Sequence, residues 1–160
     1  MEKQYIYRVS AASTGARSGI ATAEEIQPPI VFSAPPEFQG EAGQWTPEHL
    51  FLASVAGCFV STFSGMAHFS KFEFLSLDLD VEGLLSKEEA GWRFAQVKLH
   101  PRLKVAQEKD RGRANRLLEK AEKTCLVSRS INSKVILEPD LIVEEEVLER
   151  ETMGNSIPIS

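Results

Sequence analysis

The chain has 160 residues, 42% hydrophobic and 26% charged, which is the balance of one ordinary globular domain and excludes disordered and collagen-like classes. Its 18 Lys and Arg against 23 Asp and Glu leave a net charge of −5 and no basic stripe, so nucleic acid is not an expected partner. Met1-Glu2-Lys3-Gln4-Tyr5-Ile6-Tyr7-Arg8 lacks a basic segment running into an apolar one, so no secretory signal is read and a cytoplasmic location is expected.

Residues 4 to 9 and 18 to 34 are rich in Ile, Val, Tyr and Thr and are broken by Gly15, Gly19, Pro28 and Pro29, which predicts a meander of short strands. Residues 35 to 45 read as a loop. Thr46-Pro47-Glu48 then gives helix-start signals in order: a capping hydroxyl, a proline in the first turn and an acid near the positive end of the dipole. From Leu50 to Ser70 there is no Asp, Glu, Lys or Arg, and apolar residues fall on every face, so the helix is expected to be buried all round. The run is long enough to cross a bilayer, but Ser54, Gly57, Ser61, Thr62, Ser64, Gly65, His68 and Ser70 favour a central core helix, and no membrane association is expected.

After Lys71 the period changes to two. Leu75, Leu77, Leu79 and Val81 alternate with Ser76, Asp78, Asp80 and Glu82, the pattern of a strand with one wet face. Residues 92 to 105 alternate again, but Trp92 and Phe94 are even while Val97, Leu99, Leu103 and Val105 are odd. The phase change predicts a β-bulge near Ala95-Gln96, and Glu89-Ala90-Gly91 marks a hairpin turn before it. Residues 109 to 125 return to helical spacing, with Leu117, Ala121 and Cys125 on one face and Leu118 beside them. A last strand pair is expected over 134 to 148, and a polar, mobile tail over 149 to 160. Strands before, between and after two helices make this an α+β fold in a single domain spanning 1–160.

The chemistry rests on two cysteines. In a reducing compartment a permanent disulfide staple is disfavoured and catalytic, redox or metal roles gain weight. The thiols lie far apart in sequence, and His49, His68 and His100 offer no Cys-x-x-Cys or His-x-x-x-His spacing, so a metal site is the weaker option. Each cysteine taken alone reads equally as a small buried hydrophobe. Cys58, within Ala53-Ser54-Val55-Ala56-Gly57-Cys58-Phe59, has small neighbours that would admit a second backbone or a substrate. An apolar site alone raises a thiol pKa, so a nucleophilic Cys58 calls for a nearby cation.

Two stretches carry a family resemblance. Thr46-Pro47-Glu48-His49-Leu50-Phe51-Leu52-Ala53-Ser54-Val55-Ala56-Gly57-Cys58-Phe59 and Ala121-Glu122-Lys123-Thr124-Cys125-Leu126-Val127-Ser128-Arg129-Ser130-Ile131 resemble the OsmC and organic-hydroperoxide-resistance family, and the likeness extends over residues 15 to 145. It implies an intertwined homodimer with central buried helices wrapped by antiparallel sheets, and reduction of organic hydroperoxides without a prosthetic group. By motif match, Cys58 is the peroxidatic thiolate and Cys125 the resolving thiol. Arg17, in Ala16-Arg17-Ser18-Gly19, stabilises the thiolate and polarises the peroxide, with Arg8 as a nearby alternative, and Glu48 orients Arg17. One departure is Leu126, where the family pattern has proline after the second cysteine.

The implied cycle forms an alcohol and a sulfenic acid at Cys58, closes a Cys58–Cys125 disulfide, and reopens it with an external dithiol, for which a lipoyl-linked one is a candidate. Phe38, Trp45, Phe51, Phe59 and Phe63 would make a greasy substrate pocket, with core packing as the alternative for each. Glu48 and Cys58 are ten residues apart, about 15 Å along one helix, so they cannot share a site in one chain. Two antiparallel helices crossing near Ala53 would bring Glu48 of one copy to Cys58 of the other. The rival reading from another class is a non-catalytic dimeric binding or stress-response protein with buried structural cysteines.

Overall fold

The computed structural model describes residues 1–145, which form two compact units, Met1–Phe51 and a second beginning at Leu52. The first unit holds a three-stranded antiparallel sheet of β1 (Ser10–Gly15), β2 (Ser18–Ala23) and β3 (Ile26–Ser33), in that order. Residues 4 to 9, expected as a strand, are outside it, and Tyr5, Ile6, Tyr7 and Val9 are exposed. β-branched and aromatic residues favour a strand only where a neighbouring strand and a face to cover are at hand. The two prolines of β3 are tolerated because β3 is an edge and its register jumps there, from Ala21↔Ile30 to Ala23↔Ile26.

The loop after β3, which contains a short 3-10 turn at Pro36–Phe38, is tied down by buried Ser33. Ser33 N–H donates to Trp45 O at 2.9 Å, and its Oγ accepts from Glu41 N–H at 2.8 Å. The residue after Trp45 caps α1 (Pro47–Phe69) as the sequence predicts: Thr46 Oγ1 accepts from His49 N–H at 3.1 Å, satisfying one of the helix's open amides.

Through the second unit, α1 buries Val55, Phe59, Phe63 and Ala67, a single stripe at four-residue spacing. Ala53, Ser54, Gly57, Ser61 and Ser64 are exposed, so burial all round is not reached within one chain. The helix is long and apolar enough to cross a membrane. Its buried stripe instead joins Val97, Leu99, Leu103 and Val105 of β5 and Ala114, Leu118 and Ala121 of the next helix in one core. Full burial of a Leu or Phe contributes about 1.5–3 kcal/mol, which makes this cluster the main stabilising feature of the unit.

β4 (Ser76–Glu88) and β5 (Gly91–Val105) pair antiparallel along their whole length, joined through Glu89-Ala90, with Gly91 at φ 121. Leu84 pairs with Gln96 but Leu85 with Phe94, so Ala95 is the extra residue of the predicted bulge. On the wet face Asp78, Asp80 and Glu82 stand opposite Arg102, His100 and Lys98, which favours this register over its neighbours. The expected last strand pair differs from the observed strands. β6 (Lys134–Leu137) and β7 (Asp140–Val143) do not pair with each other; each runs parallel to β5, at Gln96–Leu99 and Arg102–Val105. The break between them falls beside Pro101, which has no amide to donate. Residues 146 to 148 of that expected pair, and the tail over 149 to 160, lie outside the described residues.

A 3-10 turn at Glu108–Asp110 leads into α2 (Arg111–Thr124), and a one-residue break at Cys125 separates it from the single turn of α3 (Leu126–Arg129). Cys125 therefore lies between helices, not on one, with ψ 117. Its side chain points inward as the spacing predicts and is fully buried.

Candidate active site

The break at Cys125 creates the site. A helix that begins afresh leaves its first amides without partners inside the helix. At α3 two of these, Val127 and Leu126, are taken up by the sulfur of Cys58, which accepts from Val127 N–H at 3.5 Å. Thr62, one turn along α1 from Cys58, places Oγ1 4.0 Å from the same sulfur. Cys125 completes the ring by directing its thiol at Cys58. The Leu126 amide is a donor that a proline at this position would lack.

These contacts push the two thiols in opposite directions. At Cys58 burial raises the pKa, but the Val127 amide, the Cys125 thiol, the Thr62 hydroxyl and the Leu126 amide together outweigh it, and the thiol sits below its ordinary value. At Cys125 burial also comes first, and it prevails: the hydroxyl and amide of Ser128 favour the thiolate, the neighbouring Cys58 sulfur opposes it, and the thiol is held above its ordinary value. Of this coupled pair Cys58 gives up its proton first, while Cys125 keeps its own and donates it as a hydrogen bond. Both cysteines are free thiols, with Cys58 half-buried and Cys125 closed off.

The other residues singled out by sequence are distributed as follows. Arg17 lies in the turn between β1 and β2, its side chain exposed and its carbonyl accepting from Ala34 N–H at 2.9 Å. Glu48 is in the first turn of α1, with Oε2 shielded from solvent and no hydrogen-bond partner among the described residues. Both belong to the first unit, as do Phe38, Trp45 and Phe51, and Trp45 meets His49 edge-on at 6.4 Å. Phe59 and Phe63 are fully buried in the second unit, Phe63 edge-on to Phe74 at 5.3 Å, and this burial supports their core-packing alternative. The structure thus brings together Cys58 and Cys125.

Four contributors escaped the sequence reading. Thr62 and Ser128 carry a spacing signal, as i+4 from Cys58 and as the last residue of Cys125-x-x-Ser128. The amides of Leu126 and Val127 carry none, because a backbone donor leaves no mark on side-chain type. An open groove of about 830 Å³, lined by Ser64, His68, Phe72, Lys109 and Arg113 among others, lies at the C-terminal end of α1 and includes neither cysteine. No cluster of three or more His, Cys, Asp or Glu suited to a metal ion is found among the described residues.

The profile of the OsmC-like protein family matches residues 40–139. The uncharacterized protein YmaD of Bacillus subtilis is 26% identical over 133 residues, covering 81% of this chain and 89% of that protein. The crystal structure of an organic hydroperoxide resistance protein OsmC from Legionella pneumophila superposes with a TM-score of 0.72 at 26% identity, over 89% of this chain and all of that one. OhrB, the organic hydroperoxide resistance protein of Bacillus subtilis, shares the fold with a TM-score of 0.63 at 23% identity, over 86% of this chain and 98% of its own. With the family profile covering more than half of its length, the chain belongs to the OsmC-like protein family.

Proposed function

We propose that this protein is a cysteine-based peroxidase that reduces organic hydroperoxides and works as a homodimer. The observation that carries the reading is the unequal pair: an accessible sulfur with a lowered pKa beside a buried one that keeps its proton. The Cys58 thiolate attacks the distal oxygen of the hydroperoxide, the O–O bond breaks, and the alkoxide takes a proton to leave as an alcohol. Cys58 is then a sulfenic acid. The Cys125 sulfur displaces its hydroxyl as water, forming the Cys58–Cys125 disulfide, which an external dithiol reduces. The name of the Legionella pneumophila relative, an organic hydroperoxide resistance protein, supports the choice of substrate.

Arg17 and Glu48 enter this scheme from a second copy. Glu48 Oε2, dry and without a partner among the described residues, calls for a donor, since buried carboxylate oxygens are normally paired. The open face of α1 suits a close crossing of two helices, because a Cβ added at Gly57 would meet nothing within 4 Å. The guanidinium of Arg17 would then stand by the thiolate and polarise the peroxide, oriented by the Glu48 carboxylate.

The test is a steady-state assay with an alkyl hydroperoxide and dihydrolipoamide, with thiols counted before and after one equivalent of peroxide. Two thiols per chain are expected to vanish. Cys58→Ser should abolish turnover, and Cys125→Ser should leave a trappable sulfenic acid but no intramolecular disulfide. Activity surviving Cys58→Ser would overturn the reading, and unchanged thiols would favour the non-catalytic alternative.

A further inference from the structure

Ser128 has no part in the cycle as written. The residue is 8% exposed, and its Oγ is shielded from solvent without a hydrogen bond of ordinary geometry among the described residues. A dry, unpaired hydroxyl is costly, and alanine would fill nearly the same space without that cost. What the serine does face is the sulfur of Cys125, on which both its hydroxyl and its amide act. Cys125 directly precedes α3 and Ser128 is its third residue, the N-cap and third-residue spacing, and the protonated thiol makes no side-chain capping hydrogen bond there. A neutral thiol is a weak acceptor, so the hydroxyl is poorly used while Cys125 is protonated. A thiolate is a strong acceptor, and the same hydroxyl would then close a charge-assisted bond.

We propose that Ser128 stabilises the leaving sulfur when the disulfide is reduced, its hydroxyl and amide holding the charge that appears on Cys125 Sγ. This rests on the peroxidase reading for its place in the cycle. Accessibility decides which sulfur the reductant attacks: Cys58 is half-buried and Cys125 fully buried. One thiolate of an external dithiol attacks Cys58 Sγ, the Cys58–Cys125 bond breaks, and its electron pair goes to Cys125. A mixed disulfide now joins Cys58 to the reductant. The second sulfur of the reductant then displaces the Cys58 thiolate and leaves as a cyclic disulfide, while Cys125 is reprotonated. The dithiol has lost two electrons and two protons; the protein disulfide has gained the electrons. Leaving sulfurs with lower pKa depart faster, so a hydroxyl that stabilises Cys125 thiolate raises the rate of the first displacement.

The experiment follows the two halves of the cycle separately by stopped flow in the full chain, comparing wild type, Ser128→Ala and Ser128→Thr. Ser128→Ala is expected to be reduced by dihydrolipoamide roughly tenfold or more slowly, the loss of one hydrogen bond to a charged group, and to be slowed much less in the oxidation of Cys58. Ser128→Thr, which keeps the hydroxyl, should recover the reduction rate. Equal reduction rates in wild type and Ser128→Ala would overturn the proposal, as would equal slowing of both halves, which marks a structural role. The disulfide can also be made with diamide, so the reduction arm reads Ser128 even if hydroperoxide fails to oxidise the protein. That failure would count against the peroxidase reading alone.

Discussion

Cys58 stands on an apolar helix, where burial by itself would leave a thiol protonated and unreactive. The backbone of α3 reverses this, and the consequence is a pH dependence with a definite sign. Since the thiolate is the reactive form, alkylation of Cys58 by iodoacetamide should rise with pH and level off below the range of an ordinary thiol, and should weaken as pH falls through the lowered pKa. Cys125 should react only above that range, for the opposite reason. Leu126→Pro tests the assignment to amides. Proline fits the first turn of a helix, so α3 should persist, but one donor to Cys58 disappears and the alkylation curve should move to higher pH. At this scale the sequence was half legible. Cys58 and Cys125 could be paired through the family resemblance, whereas their activating groups could not be read, because a cation is visible in a sequence and an amide is not.

Along the elements, legibility depended on whether a pattern names its partner. The shift of apolar residues from even to odd positions in β5 has one physical meaning, an extra residue in the strand, and the bulge was found where it was expected, at Ala95. The strand pair expected over 134 to 148 carried no such information: strand-forming residues say nothing of neighbour or direction, and both β6 and β7 turned out parallel to β5. Residues 4 to 9 had strand-forming side chains and, among the described residues, no neighbour to pair with. The β4–β5 ribbon also contains a position that composition could not flag. A Cβ at Gly83 would lie 2.7 Å from Phe94 Cε1 and 2.8 Å from Leu52 Cδ2, so these two side chains close over bare backbone. Gly83→Ala must displace both side chains and should lower stability by about 1–3 kcal/mol, read as a drop in Tm with the far-UV spectrum retained.

For the molecule as a whole, the sequence announced more apolar surface than one chain buries. The run from Leu50 to Ser70 predicted burial on every face, and α1 covers only its Val55, Phe59, Phe63 and Ala67 stripe, leaving small residues in the open. That surplus is what an assembly would absorb, and it leads to Glu48. If its unpartnered carboxylate serves the thiol of a second copy, each active site is built from two chains, and genetic defects on different chains should be able to cover for one another. A Cys58→Ser chain still supplies Glu48, and a Glu48→Ala chain still supplies Cys58. Neither should turn over alone. Co-refolded in equal amounts they should regain roughly a quarter of the wild-type sites, since half of the dimers are mixed and each mixed dimer holds one intact site. No recovery in verified mixed dimers would mean that Glu48 and Cys58 do not meet across copies; recovery would make this a protein in which two broken chains are worth more together than either is alone.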